Sequence, residues 1–432
     1  MYFDEKIETM PRNEIKKLQF QKIKSQIERC YHNSPFYREK MKEVNVKPED
    51  VKEIDDIRRI PFVTKDELRQ EQEQHPPLGR YVLIDQKKWG ELHPSTGTTG
   101  RPVNTIWSRS DVEKITDFTA RLLYGLGVRE GDTIQNGFSY GLWVAGIATH
   151  YAAKKLKCFI IPIGASMSDR HVEYIINLDT TFLAATPSFA LYIAESLKGQ
   201  GYDPQNTKLK GGFFGGEGGT ESESTRQKLE NRLGINAYDI YGLAEIGPTI
   251  ASECTEKAGL HWTEDHHFIE IINEKTHEPC KPGEIGILVI THLTREATPM
   301  LRYWTNDYAT ITYDPCLCGR THARSIGGIV GRADDMIIFR GAKFYPLQVE
   351  KVVRSFKELG DEFKIVLSKD EETSLDSCKI QCELTVRIRK EDIHDKLKKA
   401  IKDELMVTPE LEYLDFGTLE RTTFKAKRII KE

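Results

Sequence analysis

The chain has 432 residues, 39% hydrophobic and 30% charged, which is enough for a large core and more than one domain. Its 62 basic and 66 acidic side chains leave a net charge of -4, so there is no global pull toward nucleic acid or anionic lipid. No apolar run approaches the roughly 20 residues of a membrane span, and the opening Met1-Tyr2-Phe3-Asp4-Glu5-Lys6 lacks a signal peptide's apolar core, so the cytoplasm is the expected location.

Residues 11 to 45 carry Leu18, Ile23, Ile27 and Tyr31 at helical spacing, which predicts one long amphipathic helix. Thr64, with Glu67 three positions on, has the pattern of a capping box and predicts a helix start. The stretch Ser95-Thr96-Gly97-Thr98-Thr99-Gly100-Arg101-Pro102 combines glycines, which let successive N–H groups face one point, with hydroxyl donors. That composition suits a phosphate. It is not a Walker A loop, because no Gly-Lys-Ser or Gly-Lys-Thr follows at the required spacing, and alone it reads equally as a surface loop.

Beyond it, β-like runs alternate with helical ones. Strands are predicted at 132–137, 158–162, 181–185, 211–214 and 235–240, with helices at 142–155, 187–197 and 221–233 between them. This alternation predicts an α/β fold with a mainly parallel sheet, whose ligand site lies beyond the carboxyl ends of the strands. From 268 to 313 the pattern becomes strands without helices, at 268–272, 285–291, 300–303 and 308–312, as in a small antiparallel β subdomain. A hinge is expected near Gly331 to Met336. The remainder, with helices from Pro346 and from Glu391 to Leu405 and strands near 363–368 and 379–386, has the size of a small α+β domain. The expected division is 1–333 and 334–432.

Gly215-Gly216-Glu217, Tyr241-Gly242-Leu243-Ala244-Glu245-Ile246-Gly247-Pro248, Leu301 to Asp307, Gly331-Arg332-Ala333-Asp334-Asp335 and Lys425-Ala426-Lys427-Arg428 follow the Ser95 loop in order. With Pro35-Phe36-Tyr37 near the start, this series resembles the phenylacetate-CoA ligase family of AMP-forming adenylating enzymes. The resemblance spans nearly the whole chain. It implies a large N-terminal domain that binds ATP and the acyl substrate, and a small mobile C-terminal domain. The implied activity is attack of a carboxylate on the α-phosphate of ATP, giving an acyl adenylate, followed by transfer to coenzyme A. An aryl or arylacetic acid is the implied substrate.

Crowding oxyanions around phosphorus requires gathered cations and hydrogen-bond donors. By the resemblance, Ser95, Thr96, Gly97, Thr98, Thr99 and Gly100 cradle the phosphates, with Thr98 among the catalytic groups. Glu245 is the implied Mg²⁺ ligand, a role that needs only one or two protein carboxylates; alone it would read as a solvated loop carboxylate. Tyr241 and Gly242 offer a face for adenine, with Gly216 and Glu217 as the opposite wall, although Tyr241 also suits a core. Asp307 matches the carboxylate that takes the ribose hydroxyls, with Arg332 close by. The family's Thr-Gly-Asp is Thr305-Asn306-Asp307 here, and Asn tolerates left-handed backbone. Ala244 replaces the family's hydroxyl residue.

Lys425 aligns with the lysine that bridges the α-phosphate and the substrate carboxylate, and Asp334 with the hinge. A solvated basic tail is the local alternative for Lys425. Gly341, with Arg340 and Lys343, lies on the segment expected to face the thiol or the nucleotide phosphates, where exposed surface charge accounts equally well for the two cations. An acyl pocket is expected from Phe138, Tyr140, Trp143, Ala185, Phe213, Phe214 and Ile240, all of which also suit plain core.

Eight cysteines over this length do not make a disulfide scaffold. Cys254, His261, Cys316 and Cys318 offer three thiolates and an imidazole, a closed tetrahedral set for structural Zn²⁺, and some family members carry such a cluster. Four reduced side chains without metal are the alternative. Cys30, Cys158, Cys280, Cys378 and Cys382 have no evident partner. The competing functions are an adenylating enzyme with another acceptor, namely an amine, a carrier-protein thiol or a cofactor hydroxyl, and a non-catalytic AMP sensor. A homodimer is among the allowed assemblies.

Overall fold

The computed structural model describes residues 2–95, 101–165, 168–369, 376–385, 388–421 and 426–431. They form two compact units: Met1–Asp132 with Ser139–Pro162 and Tyr238–Gly328, and Thr133–Phe138 with Ile163–Ala237 and Ile329–Glu432. Among the described residues, no helix is long and apolar enough to cross a membrane.

In the first unit the predicted long helix is two helices, Arg12–Asn33 and Pro35–Glu43. Pro35 has no N–H to continue the ladder and forces Ser34 into extended backbone. The Ser34 hydroxyl then accepts from Tyr37 N at 3.2 Å and caps the second helix. Ile15, Ile23, Ile27 and Cys30 are the buried stripe of the first helix. The Thr64 capping box forms as predicted at the head of the Lys65–Gln74 helix, with Thr64 N donating to Glu67 at 2.8 Å and Glu67 N to the Thr64 hydroxyl at 3.3 Å.

Strand Trp89–Pro94 pairs antiparallel with Asn104–Ser108, and the phosphate-loop candidate is the connection of this ribbon. Helices Arg109–Gly125 and Val144–Lys155 pack on each other and on strand Gly247–Ser252. That strand is antiparallel to Asn236–Leu243 on one side and Leu260–Trp262 on the other.

A separate antiparallel sheet holds His267–Ile272, Gly286–His292 and Tyr303–Ala309. The strands predicted at 300–303 and 308–312 are in fact one, Tyr303–Ala309, so Asp307 lies within a strand. Ile287 pairs with Tyr308 and Val289 with Trp304, two steps on one strand against four on the other. Asn306, at φ 65°, absorbs the bulge in left-handed backbone.

In the second unit Thr133–Asn136, Phe182–Ala185 and Gly211–Phe214 are parallel neighbours, as the alternation predicts. Helices Ser168–Asn177, Pro187–Gly199 and Glu223–Leu233 accompany them. Leu183, Phe189, Phe214, Leu229 and Leu233 lie at the centre of their core.

The C-terminal segment has its own core around Phe344, Val353, Phe363, Ile380 and Ile401. It comprises a hairpin (Ile337–Phe339, Ala342–Phe344), helices Pro346–Ser355 and His394–Leu405, and a sheet in which Leu359–Lys369 and Asp376–Leu384 are antiparallel while Ile429–Lys431 and Glu410–Leu414 run parallel at its edges.

One ion pair pins the first unit. Arg121, on the Arg109–Gly125 helix, forks onto both oxygens of Asp265 at 2.5 and 3.0 Å, just before the second sheet begins. Burial alone would raise the Asp265 pKa, but His266 and Arg121 beside it hold the carboxyl well below the usual range. The stability it contributes is present above the unfolded value near pH 4 and fades as pH falls below it. Arg121→Met should cost about 3–5 kcal/mol in urea unfolding at pH 7, because it strands a buried carboxylate. A loss well below 1 kcal/mol would mean that the pair is solvated.

Candidate active site

Tyr241 to Pro248 forms a tight hairpin. Leu243 pairs with Gly247, so Ala244, Glu245 and Ile246 are its apex. Gly242 is required by the approach of the opposite strand, since a Cβ there would lie 2.1 Å from the Pro248 carbonyl oxygen. Although it sits at an apex, Glu245 is only 4% exposed. Lys65 Nζ lies 3.0 Å from Glu245 Oε1, a charge pair without hydrogen-bond alignment at that oxygen.

The next carbonyl, Ile246 O, accepts from His292 Nε2 at 2.7 Å and from Arg295. His292 Nδ1 accepts from Met300 N at 2.9 Å, which assigns the neutral Nε2–H tautomer. Burial, reinforced by Arg295, pushes its pKa well down, in agreement with that assignment.

Asp307, 4% exposed, accepts from the Tyr241 hydroxyl at 2.6 Å. The Tyr241 ring, half-buried, meets Trp262 edge-on at 5.6 Å. Thr305 fixes the strand around Asp307 by accepting from Asp307 N at 3.0 Å and donating to Leu288 O at 2.8 Å. Arg302, in the same motif, is turned away from this chemistry. It pairs with Glu270 through two 3.0 Å bonds and donates to the Arg58 and Ile60 carbonyls, so it is scaffold.

The ribbon carrying Ser95 meets the same hairpin. Thr105 Oγ1 donates to His93 O at 2.7 Å and lies 3.3 Å from Ala244 O. The Ser95 hydroxyl accepts from Val103 N at 2.9 Å and closes the ribbon's end. Three sequence motifs thus converge in the first unit: the ribbon with Ser95, the apex with Glu245, and the strand with Asp307. Thr96, Gly97, Thr98, Thr99, Gly100 and Lys425 lie outside the described residues.

In the second unit Gly216 sits at φ 87°, which favours glycine, and Glu217 accepts from Ser188 N and Ala426 N, each at 2.8 Å. Arg332 and Asp334 pair with each other through two 2.9 Å bonds. Arg340 and Gly341, both at positive φ, form the two-residue turn of the Ile337–Phe344 hairpin, and the Arg340 guanidinium lies over the Phe339 ring. Of the acyl-pocket candidates, Ala185, Phe213 and Phe214 are fully buried, and Ala185 and Phe214 belong to the core under the Pro187–Gly199 helix. Phe138 and Ile240 are also buried. Tyr140, whose hydroxyl is 3.2 Å from His150 Nδ1, and Trp143 are half-exposed.

Cys254, His261, Cys316 and Cys318 come together in the first unit, with one ligand atom from each and all four within 4.8 Å of one another. A tetrahedral zinc with ordinary bond lengths has edges of about 3.8 Å between sulfurs and about 3.6 Å between sulfur and nitrogen. Here Cys254 Sγ and Cys316 Sγ are 3.8 Å apart, and Cys318 Sγ and His261 Nε2 are 3.6 Å apart. These edges fit a metal and are too long for a disulfide. The Cys254 hydrogen bond, with His261 beside it, holds the Cys318 thiol well below its ordinary pKa, while the bond to Cys318 pushes Cys254 up and burial pushes Cys316 up, so that without an ion the three sulfurs share one thiolate.

Residues 341–432 match the family described as AMP-binding enzyme C-terminal domain, which defines the class as AMP-binding enzymes. The chain is 33% identical to the phenylacetate-coenzyme A ligase of Thermus thermophilus over 98% of its own length and 97% of that protein's. It belongs to the phenylacetate-coenzyme A ligase family. A crystal structure of 2-hydroxyisobutyryl-CoA ligase in its postadenylation state, 28% identical, matches with a TM-score of 0.94 over 100% of this chain and 92% of that one. The same ligase in its thioesterification state, with 2-HIB-AMP and CoA, matches over the same shares with a TM-score of 0.76.

Sequence reasoning assigned no chemistry to Lys65, the cation on Glu245; its only signal was the capping box beside it. His292 and Arg295, which hold the apex carbonyl, carried no signal at all. Lys65→Ala should cost about 1–3 kcal/mol in urea unfolding, because Glu245 stays buried without its cation. Unchanged stability would mean that the apex carboxylate is solvated without Lys65.

Proposed function

We propose that the chain is an ATP-dependent, AMP-forming acid-thiol ligase that converts an aryl or arylacetic acid, phenylacetate first among them, to its coenzyme A thioester. The observation that carries this reading is the Tyr241–Asp307 hydrogen bond of 2.6 Å, which joins two motifs from distant parts of a chain that aligns end to end with phenylacetate-coenzyme A ligases.

In the first step a carboxylate oxygen attacks the α-phosphorus, the bond to the β-phosphate bridge breaks, and pyrophosphate leaves. Ser95 and the threonines and glycines that follow hold the phosphates. Tyr241 and Gly242 border the base, and Asp307 orients the ribose. Glu245 is the ligand for Mg²⁺, which when bound supplies positive charge to the phosphate oxygens. A buried carboxylate that already accepts a cation from Lys65 is suited to that task. Lys425 adds a cation at the forming bond. In the second step the coenzyme A sulfur attacks the acyl carbonyl and AMP leaves. The lobe from Asp334 onward swings about that residue between the steps, withdrawing Lys425.

Incubation with ATP, Mg²⁺, coenzyme A and phenylacetate should yield AMP, pyrophosphate and phenylacetyl-CoA in equal amounts. Lys425→Ala should lower ATP–pyrophosphate exchange by about 100-fold while AMP still binds. AMP release without coenzyme A, at the full rate, would assign another acceptor.

Cys254, His261, Cys316 and Cys318 hold one structural Zn²⁺ in the same proposal, with no position left for substrate. Metal analysis of the purified protein should give about one zinc per chain, and Cys316→Ser should lose it and lower the melting temperature. Metal-free protein of wild-type stability would reverse that assignment.

A further inference from the structure

Glu217 occupies a place that a base-binding residue does not need. Ser188 is the second residue of the Pro187–Gly199 helix, where the backbone N–H has no partner within the helix. Glu217 Oε1 takes that N–H at 2.8 Å, so the carboxylate sits at the positive end of the helix and is held there by its dipole as well as by the bond. The other oxygen, Oε2, takes the backbone N–H of Ala426, also at 2.8 Å. One rigid side chain therefore ties a helix of the Ile163–Ala237 segment to the residue that follows Lys425.

The surroundings reinforce the tie at the same point. The Ser188 hydroxyl accepts from Arg428 at 3.0 Å and from Arg354 at 3.2 Å. Arg428 is itself fixed by Glu362 at 2.6 Å, and Arg354 by Glu350. Ser188 thus receives the chain on both sides of Lys427: through Glu217 to Ala426, and directly from Arg428. Ala426 and Arg428 are anchored by charge-assisted bonds, which are about twice as strong as neutral ones.

We infer that Glu217 is a positioning residue for the adenylation half-reaction: it fixes the backbone beside Lys425 and does not serve as a wall for adenine. The inference rests on the reading of Lys425 given above. A lysine on a flexible stem delivers its charge to one spot only if the backbone beneath it is fixed, and losing that anchor lowers the rate of the step that uses the lysine. The second half-reaction, which proceeds with Lys425 withdrawn, does not depend on the bridge.

The test is Glu217→Gln, which keeps the shape and one acceptor but turns an NH₂ group toward one of the two amides. ATP–pyrophosphate exchange is measured with phenylacetate, and thioester formation is measured separately from synthetic phenylacetyl adenylate and coenzyme A. The ratio of the first rate to the second should fall by about tenfold or more, with AMP affinity unchanged. Glu217→Asp, too short to span both amides, should shift the ratio in the same direction, and melting temperatures verify that both variants fold.

Equal losses in both half-reactions would overturn the inference in favour of general damage. A weakened AMP affinity that accounts for the loss would restore the adenine wall. Normal exchange in Glu217→Gln alongside abolished exchange in Lys425→Ala would refute the bridge while leaving the lysine's role intact. Normal exchange in Lys425→Ala would remove both.

Discussion

The structure depends on a single electrostatic constraint: each carboxylate taken out of water must meet a donor supplied by another part of the chain. Removing a carboxylate from water costs several kcal/mol even after relaxation, and only a well-placed partner offsets it. Asp265 meets Arg121, Glu270 meets Arg302, and Glu383 meets Arg421. Glu245 and Asp307 obey the same rule with Lys65 and Tyr241. The difference lies in what the pairing leaves over. A guanidinium fork uses both oxygens of a carboxylate, as Arg302 does on Glu270. Lys65 sits beside Glu245 Oε1 without hydrogen-bond alignment at that oxygen. A carboxylate tied off on both oxygens by a fork is held as scaffold, and Glu245 is not held in that way.

This constraint also separates what the sequence reveals from what it hides. Local rules are visible: the Thr64–Glu67 box, the left-handed Asn306, and the alternation of strand and helix from Thr133 to Leu243. Even the break at Ser34 is written in Ser34-Pro35, but the apolar spacing of the first 45 residues continues across it and masks the capping signal. The sequence predicts two strands where the structure has one, Tyr303–Ala309, because the polar run Thr305-Asn306-Asp307 resembles a turn; it is a bulge held in the sheet by the Thr305 hydroxyl. Long-range partners leave no local trace. Lys65 and Glu245, or Arg295 and the Ile246 carbonyl, are brought together by the tertiary fold, and nothing in the composition around Lys65 distinguishes it from a solvated helix-start lysine.

The Cys/His cluster illustrates a further economy of this fold. Around the Cys316-Leu317-Cys318 turn the chain has little apolar surface to bury, and Leu317 is 93% exposed. The turn nevertheless anchors the first residues of the protein. Tyr2 donates to Cys318 O, Arg320 pairs with Glu8, and Thr321 N bonds to Glu8 O at 3.0 Å. A loop without a hydrophobic core can act as an anchor only if something else makes it rigid. In the proposed reading, a zinc ion held by Cys254, His261, Cys316 and Cys318 would supply that rigidity at a place where side-chain packing does not.

The C-terminal segment presents the opposite case, a well-built core joined to its neighbour by polar contacts. Its hydrophobic cluster runs from Ile337 to Ile429, and the cluster of the Ile163–Ala237 segment is a distinct one. Among the polar contacts that join them are Lys228 and Arg232 on Asp361, Arg354 on Thr225 and Ser188, Arg428 on Ser188, Ser224 on Lys351 O, and Glu217 on Ala426 N. An apolar joint of similar extent would gain about 25 cal/mol per Å² buried and would lose all of it on opening. A polar joint of charged groups exchanges its bonds for water at a net cost of about 1.5–3 kcal/mol each, while geometry still fixes where the parts meet. On the proposed mechanism, in which the lobe seats a lysine for one reaction and withdraws it for the next, a joint of the second kind is the suitable one, because it is specific when closed and its polar groups return to water when it opens.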